Sequence, residues 1–247
     1  MKTLLFMSHI PLDSSSGLIV IAADKKRIAL DVGLSVNAPN SALWLAAHPE
    51  RIVFGFEPNP FSMGIILSGR STSLFPAMKN HVQKASLYES FFPLNVAVSD
   101  VETTARSFHT TDPYGNGDGG TSSLGQPLNF GRVRTVGVVS IRLDSFLRHI
   151  PWERFPYIEH LKVDAQGHDL RILQSAGHYL SERIACVSAE SEAPGYSESH
   201  TPQQLRDFLL SQGFSQLQGS SNGETWLNSR FAALLQNGEI ECVTEGL

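Results

Sequence analysis

The sequence predicts an α/β protein built on a doubly wound, mostly parallel sheet. Short apolar runs alternate with amphipathic segments along the chain, which is the pattern of strands connected by helices. The stretch "IALDVG" closes one such run with an acid and a glycine, where a strand would pass into a turn. With 247 residues and 41% hydrophobic composition the chain can bury a substantial core, and sheet-plus-helix chains of this size often form one unit. A single domain over 1–247 is expected, with a Gly/Ser-rich insertion or lid at about 101–140.

The elements come in a regular order. Ile28 to Val32 reads as the first strand, Pro39 to Ala47 as a helix and Arg51 to Phe56 as the next strand, which makes one βαβ unit. Pro39 suits a first helical turn because its missing N–H would be unpaired there anyway, so Asn37 or Ala38 would precede the helix. After "FEPNPFS", Phe61 to Leu67 is helical in pattern, and Phe91 to Val98 reads as a third strand. "TTARSFHTTD" reads as a short added strand, "PYGNGDGGTSSLG" as a glycine-rich loop, and "VRTVGVVSIRLDSFL" as a strand entering a helix that Asp144 caps. These form an insertion within the sheet. Ile158 to Val163 resumes the regular pattern, followed by a helix with Leu170, Leu173 and Ala176 on one face, and then the strand "IACVSAE". In "TPQQLRDFLLSQGF", Thr201 is the N-cap, Pro202 the first helical residue, Gln204 the capping-box partner and Gly213 the stop. "FSQLQ" and "TWLNSRFAALL" complete the sheet as a hairpin.

A formal net charge of -5, without a long Lys/Arg block, argues against a nucleic-acid-binding surface and for a small-molecule partner. Cys186 and Cys242 cannot build a disulfide framework and are not spaced as a metal site, so a reducing, cytoplasmic location is the default. The apolar patch in "MKTLLFMSHIPLD" is interrupted by His9, Pro11 and Asp13 before a signal-peptide core forms, and no membrane-spanning run comes after it.

The first loop carries the ligand argument. A dinucleotide-binding turn would repeat glycine after Gly33, but Ser35 and Asn37 stand at the expected second and third positions. Asp31, beside the turn, would repel a pyrophosphate and attract a cationic amine or sulfonium. Glu57, ending the second strand, is placed to accept hydrogen bonds from both hydroxyls of a ribose. A ligand with a ribose, a positive end and no phosphate is S-adenosylmethionine. Two plainer roles stand beside these, with Asp31 capping a turn and Glu57 a solvated strand-end charge. Asn59 either fixes the Pro58-Asn59-Pro60 turn or joins the site, and Asp100 either forms a turn or meets an adenine edge.

The motifs "LDVG", "FEPNP", "NVAVSD", "GGTSSL", "IRLDSFL" and "LKVDAQGHDLRILQSAG" resemble, in order and approximate spacing, those of the FkbM-type S-adenosylmethionine-dependent methyltransferases. The resemblance runs from about Ile28 to the last strand. It implies a class I methyltransferase fold, a Rossmann-like seven-stranded sheet whose last strand is antiparallel, and usually O-methylation of sugar or natural-product hydroxyls. Where that family has Gly-Ala-Asn-x-Gly, this chain has Gly33-Leu34-Ser35-Val36-Asn37. Asn37 is expected to replace the last glycine, because Asn tolerates left-handed geometry.

Chemistry is expected at "DAQGHD", across the switch point from the first loop. Asp164 would contact the amino-acid portion of the cofactor or orient an acceptor hydroxyl, and His168 or Asp169 would take the hydroxyl proton. His168 has the alternative of a plain first-turn histidine. Glu190 and Glu192 lie on the same edge, within reach of acceptor hydroxyls, and no ligand spacing demands a metal. Two other classes remain open: a cofactor-binding subunit or regulator without catalysis, and an NAD-dependent oxidoreductase, which shares the fold but needs the missing glycines.

Overall fold

A computed structural model describes residues 9–69, 81–111, 120–129, 132–190, 195–197, 199–217 and 224–242. Its centre is a seven-stranded sheet. The strands are β1 (Arg27–Val32), β2 (Arg51–Phe56), β3 (Phe91–Leu94), β7 (Ile158–Val163), β8 (Ile184–Ala189), β9 (Phe214–Gln216) and β10 (Glu224–Asn228). They lie in the order β3-β2-β1-β7-β8-β10-β9. β10 pairs antiparallel with both β8 and β9, and the β1, β2, β3, β7 and β8 pairings are parallel. The last strand in sequence is therefore the antiparallel one, as a class I methyltransferase sheet requires.

Alternation along the strands gives the sheet two apolar faces. Ile28, Leu30, Val32, Ile52, Phe54 and Phe56 join one core with side chains of α3 (Leu143–Leu147), α4 (Asp169–Ser175), α5 (His178–Arg183) and α6 (Pro202–Ser211). Ala29 and Val53, one residue out of phase, pack with Trp44 of α1 (Pro39–Ala47) and Ile66 of α2 (Pro60–Ser68). The expected capping box of α6 is present: Thr201 Oγ1 accepts the Gln204 N–H, and the Gln204 side chain accepts the Thr201 N–H.

Four expectations need correction. The run Phe91 to Val98 is two strands, because Asn95 turns the chain by donating its side-chain N–H to the Glu57 and Pro58 carbonyls. Beyond Asn95 the chain builds a second sheet of β4 (Ala97–Val98), β6 (Val133–Ile141) and β5 (Thr103–Thr111), not an insertion within the main one. Asp144 does not cap α3: Arg142 is the cap residue, and its guanidinium pairs with the Asp144 carboxylate at 3.0 Å. The hairpin of β9 and β10 forms, but "SRFAALL" leaves it as a helical turn and α7 (Ala232–Gln236).

The two cysteines are joined. Cys186 of β8 and Cys242 are disulfide-bonded, which ties the segment after α7 to a small core of Ala185, Leu227, Phe231 and Ile240. Spacing alone did not show this, because the pairing depends on where the tail folds back.

Candidate cofactor site

The ends of β1, β2 and β7 meet at one edge of the sheet, where the strand order reverses. Gly33 follows β1 with φ +83° and donates its N–H to the Phe56 carbonyl at 2.9 Å. A Cβ there would stand 1.9 Å from the Asp164 carbonyl oxygen, so the turn admits only glycine. The left-handed residues beyond it are Ser35 and Ala38, at φ 57° and 47°. Asn37 has no positive φ, contrary to expectation. The chain reverses at Ser35, and again at Ala38 to enter α1 at Pro39.

Ser35 is the residue that aims the loop. Its backbone N–H donates to Glu57 Oε2 at 3.1 Å, and the Asn59 N–H donates to Oε1 at 2.7 Å. Burial pushes the Glu57 carboxyl up to about 7, against those two bonds, which favour its charge. Each oxygen keeps acceptor capacity for one further donor. Asn59 itself serves through its backbone; its side chain accepts the Phe61 N–H and caps α2.

Asp31 does not line the cleft. It lies on the α1 face of the sheet, where Oδ2 accepts the Ser41 hydroxyl at 2.6 Å and Oδ1 stands 3.4 Å from Lys162 Nζ. Lys162, its register partner on β7, also donates to the Gly33 carbonyl and stands 3.5 Å from Asp164 Oδ2. Asp164, with a side chain 29% exposed, does line the cleft.

Asp164 Oδ1 accepts the Gln166 side-chain N–H at 2.9 Å, and the same amide nitrogen stands 3.4 Å from Glu190 Oε2. The Tyr196 hydroxyl lies 3.0 Å from Gln166 Oε1, and the Ser123 hydroxyl donates to the Gln166 carbonyl. Burial raises Glu190 to about 8, helped by Asp164 and Asp169. Asp169 is fully buried at the start of α4, accepts a 3.4 Å bond from the Ala165 N–H and is raised to about 7 by burial. His168 lines the cleft, but its Nε2 is 3.0 Å from the Ser99 hydroxyl, and burial lowers it to about 4. Asp100 bonds Ser99 and Arg171 and is not part of the lining.

The cleft itself, about 570 Å³ when the solvent at its open mouth is included, is lined by Gly33, Ser35, Glu57 and Asp164 together with Ala97, Val98 and Phe108 of the second sheet. Gly120 and Ser122 of the glycine-rich segment reach it; 112–119 and Glu192 lie outside the described residues. Lys162, Gln166, Tyr196 and Ser123 were missed in the sequence. Only Lys162 carried a signal, a lysine alternating with apolar residues in a buried strand.

Residues 31–215 match the methyltransferase FkbM domain. The chain belongs to this family. In fold this FkbM methyltransferase is similar to the Methanococcus jannaschii fibrillarin pre-rRNA processing protein, at 10% identity and TM-score 0.42 over 86% of this chain and 70% of that one. It is also similar to the antibiotic-resistance methyltransferase Kmr, at 12% identity and TM-score 0.40 over 89% of this chain and 97% of that one. The 16S rRNA (adenine(1408)-N(1))-methyltransferase of Catenulisporales acidiphilia, solved with its cosubstrate, matches at 14% identity and TM-score 0.37 over 83% and 84%. At these values the likeness carries no argument about this chain. No curated protein matches the chain.

The cofactor is S-adenosylmethionine, and the residues fit it. A buried carboxylate with spare acceptor capacity suits a ribose diol, and a single tight glycine turn without a nest of N–H groups suits a ligand that carries no phosphate. None of the described helices is long and apolar enough to cross a membrane.

Proposed function

We propose that the protein is an S-adenosylmethionine-dependent O-methyltransferase acting on a hydroxyl of a sugar or other natural-product small molecule, as one domain over 1–247. The observation that carries the reading is the Glu57 carboxylate, oriented by the Ser35 and Asn59 N–H groups at the mouth of the Gly33 turn. In this reading Glu57 binds the ribose hydroxyls, and Ala97 and Val98 flank the base. Gly33 and Asp164 hold the amino-acid end. Asp31 supports the site through Lys162, Asn59 through its N–H on Glu57, and Asp100 and Asn37 stand outside the cofactor contacts.

The bound cofactor supplies a methyl group already activated by its sulfonium. The chain has to align an acceptor oxygen and receive its proton. Glu190 is the group assigned to receive it: it sits behind Gln166, whose amide it shares with the cleft-lining Asp164, and burial raises it to about 8, near the working pH that suits a base. Asp169 is fully buried behind the cleft and His168 is turned to Ser99, so both serve the structure of the α4 start.

The test is methyl transfer from labelled S-adenosylmethionine to a panel of sugars and hydroxylated natural products, with products fragmented to locate an O–CH₃ group. Label found only on nitrogen or carbon overturns O-methylation. A cytoplasmic location stands against the Cys186–Cys242 bond, and thiol labelling of the protein as taken from cells decides between them.

A further inference from the structure

We propose that Lys162 is the positioning residue for the amino-acid end of the cofactor, holding the Gly33 backbone and the Asp164 carboxylate with one buried ammonium. This rests on the reading above, in which the nucleoside end lies at Glu57. Lys162 has a side chain only 4% exposed, on β7 beneath the glycine turn. Its Nζ donates to the Gly33 carbonyl at 2.5 Å and stands 3.4 Å from Asp31 Oδ1 and 3.5 Å from Asp164 Oδ2.

A buried ammonium persists only when its charge is met, and these three acceptors meet it. The carboxylates divide the work. Asp31 is enclosed, with its second oxygen taken by Ser41; burial raises its carboxyl, while Lys162 and the Ser41 bond pull it back toward the charged form that faces the lysine. Asp164 is the partner that remains open to the cleft. Burial opposes the charge of Lys162, but Asp164 and Asp31 outweigh it and hold the lysine above its usual range. The nucleoside end has separate hydrogen bonds: Glu57 takes its bonds from Ser35 and Asn59, and its carbonyl is held by Asn95. Lys162 and Asp164 reach it only as charges of opposite effect, so the comparison is made at about pH 8, where Glu57 is ionised.

The experiment is calorimetric titration of the full chain with S-adenosylhomocysteine and with 5′-methylthioadenosine, which keeps the nucleoside and lacks the amino acid. Lys162→Met alone strands the Asp31 charge, so the variant used is Asp31→Asn/Lys162→Met, in which the pair is neutral and the Ser41 bond is retained. We expect S-adenosylhomocysteine to weaken by at least about tenfold and 5′-methylthioadenosine to stay within about threefold of wild type. Unchanged binding of both ligands, or equal weakening of both, overturns the proposal. Asp164→Ala, at a partly exposed side chain, must show the same split, so the test does not depend on the double variant folding. Unchanged S-adenosylhomocysteine binding there also overturns it, because Lys162 would then have nothing to position. Failure of the wild type to bind either ligand removes the cofactor reading instead.

Discussion

Ser35 and Glu57 are joined by one hydrogen bond, from the Ser35 backbone N–H to Glu57 Oε2 at 3.1 Å, which ties the turn after β1 to the end of β2. Ser35 itself is left-handed, so the chain turns away directly after the N–H that meets the carboxylate.

Glu57→Ala removes the group that would bind the ribose. Affinity for S-adenosylhomocysteine should fall by about 1.5–3 kcal/mol, the range for hydrogen bonds to a charged group. Calorimetry checks this, and unchanged affinity would take Glu57 out of the ribose site. Asn37→Gly should not tighten binding, since Asn37 is not the left-handed residue.

The same carboxyl sets a pH dependence. Burial holds Glu57 at about 7, so its accepting, ionised form is lost as pH falls through that value. S-adenosylhomocysteine should bind about tenfold more weakly at about pH 6 than at about pH 8, and Glu57→Gln should flatten the profile. A wild-type profile that does not differ from that of Glu57→Gln contradicts the assignment.

Stability should move the other way. Glu57 and Asp169 hold protons to about 7 and Glu190 to about 8 in the folded chain, all raised chiefly by burial, whereas the ordinary values are 4.5, 3.8 and 4.5. Because the folded state keeps these protons longer, their contribution is full below the ordinary values and is lost as pH rises through the raised ones. Burial lowers His160 to about 3 and His168 to about 4 from 6.5, so the histidine contribution grows with pH and is complete above 6.5. The melting temperature of the ligand-free protein should fall from about pH 6.5 to about pH 8.5, and Glu190→Gln should reduce the fall.

The range of each interaction decides whether the sequence could show it. Strand and helix limits such as Arg51–Phe56, Ile158–Val163 and Pro39–Ala47 were legible because periodicity and Pro39 are local signals. Glu57 and Asp164 were legible because they end strands. The role of Asp31 was not, although the alternation that puts Ala29 under α1 also puts Asp31 there, in register with Lys162. Recognising that pair needs the β1–β7 pairing, which is 130 residues distant in the chain for the Lys162 to Val32 contact. The Asn95 break, the Gln166–Tyr196 contact and the Cys186–Cys242 bond depend on tertiary folding in the same way.

Turnover tests the proton acceptor. Glu190→Gln should lower methyl transfer by about 10²–10⁴-fold, with cofactor affinity largely kept, while His168→Ala has a smaller effect. Wild-type turnover should rise with pH through about 8 as Glu190 ionises. A flat profile with near-normal Glu190→Gln turnover would assign the rate to alignment alone.

The Cys186–Cys242 bond closes a long loop, with the two cysteines 56 residues apart in sequence. Cys242→Ser should destabilise the oxidised protein by about 2–4 kcal/mol in denaturant unfolding, and reductant should remove the difference from wild type. Equal stability of the two under oxidising conditions contradicts a bond formed in solution.

The most direct test is calorimetric titration of the purified protein with S-adenosylmethionine, S-adenosylhomocysteine and NAD at about pH 8, where Glu57 is ionised. One S-adenosylmethionine should bind per chain, S-adenosylhomocysteine should compete for it, and NAD should give no heat of binding at the same site. Binding of NAD with no binding of S-adenosylmethionine would contradict the assignment of the Gly33–Glu57 cleft.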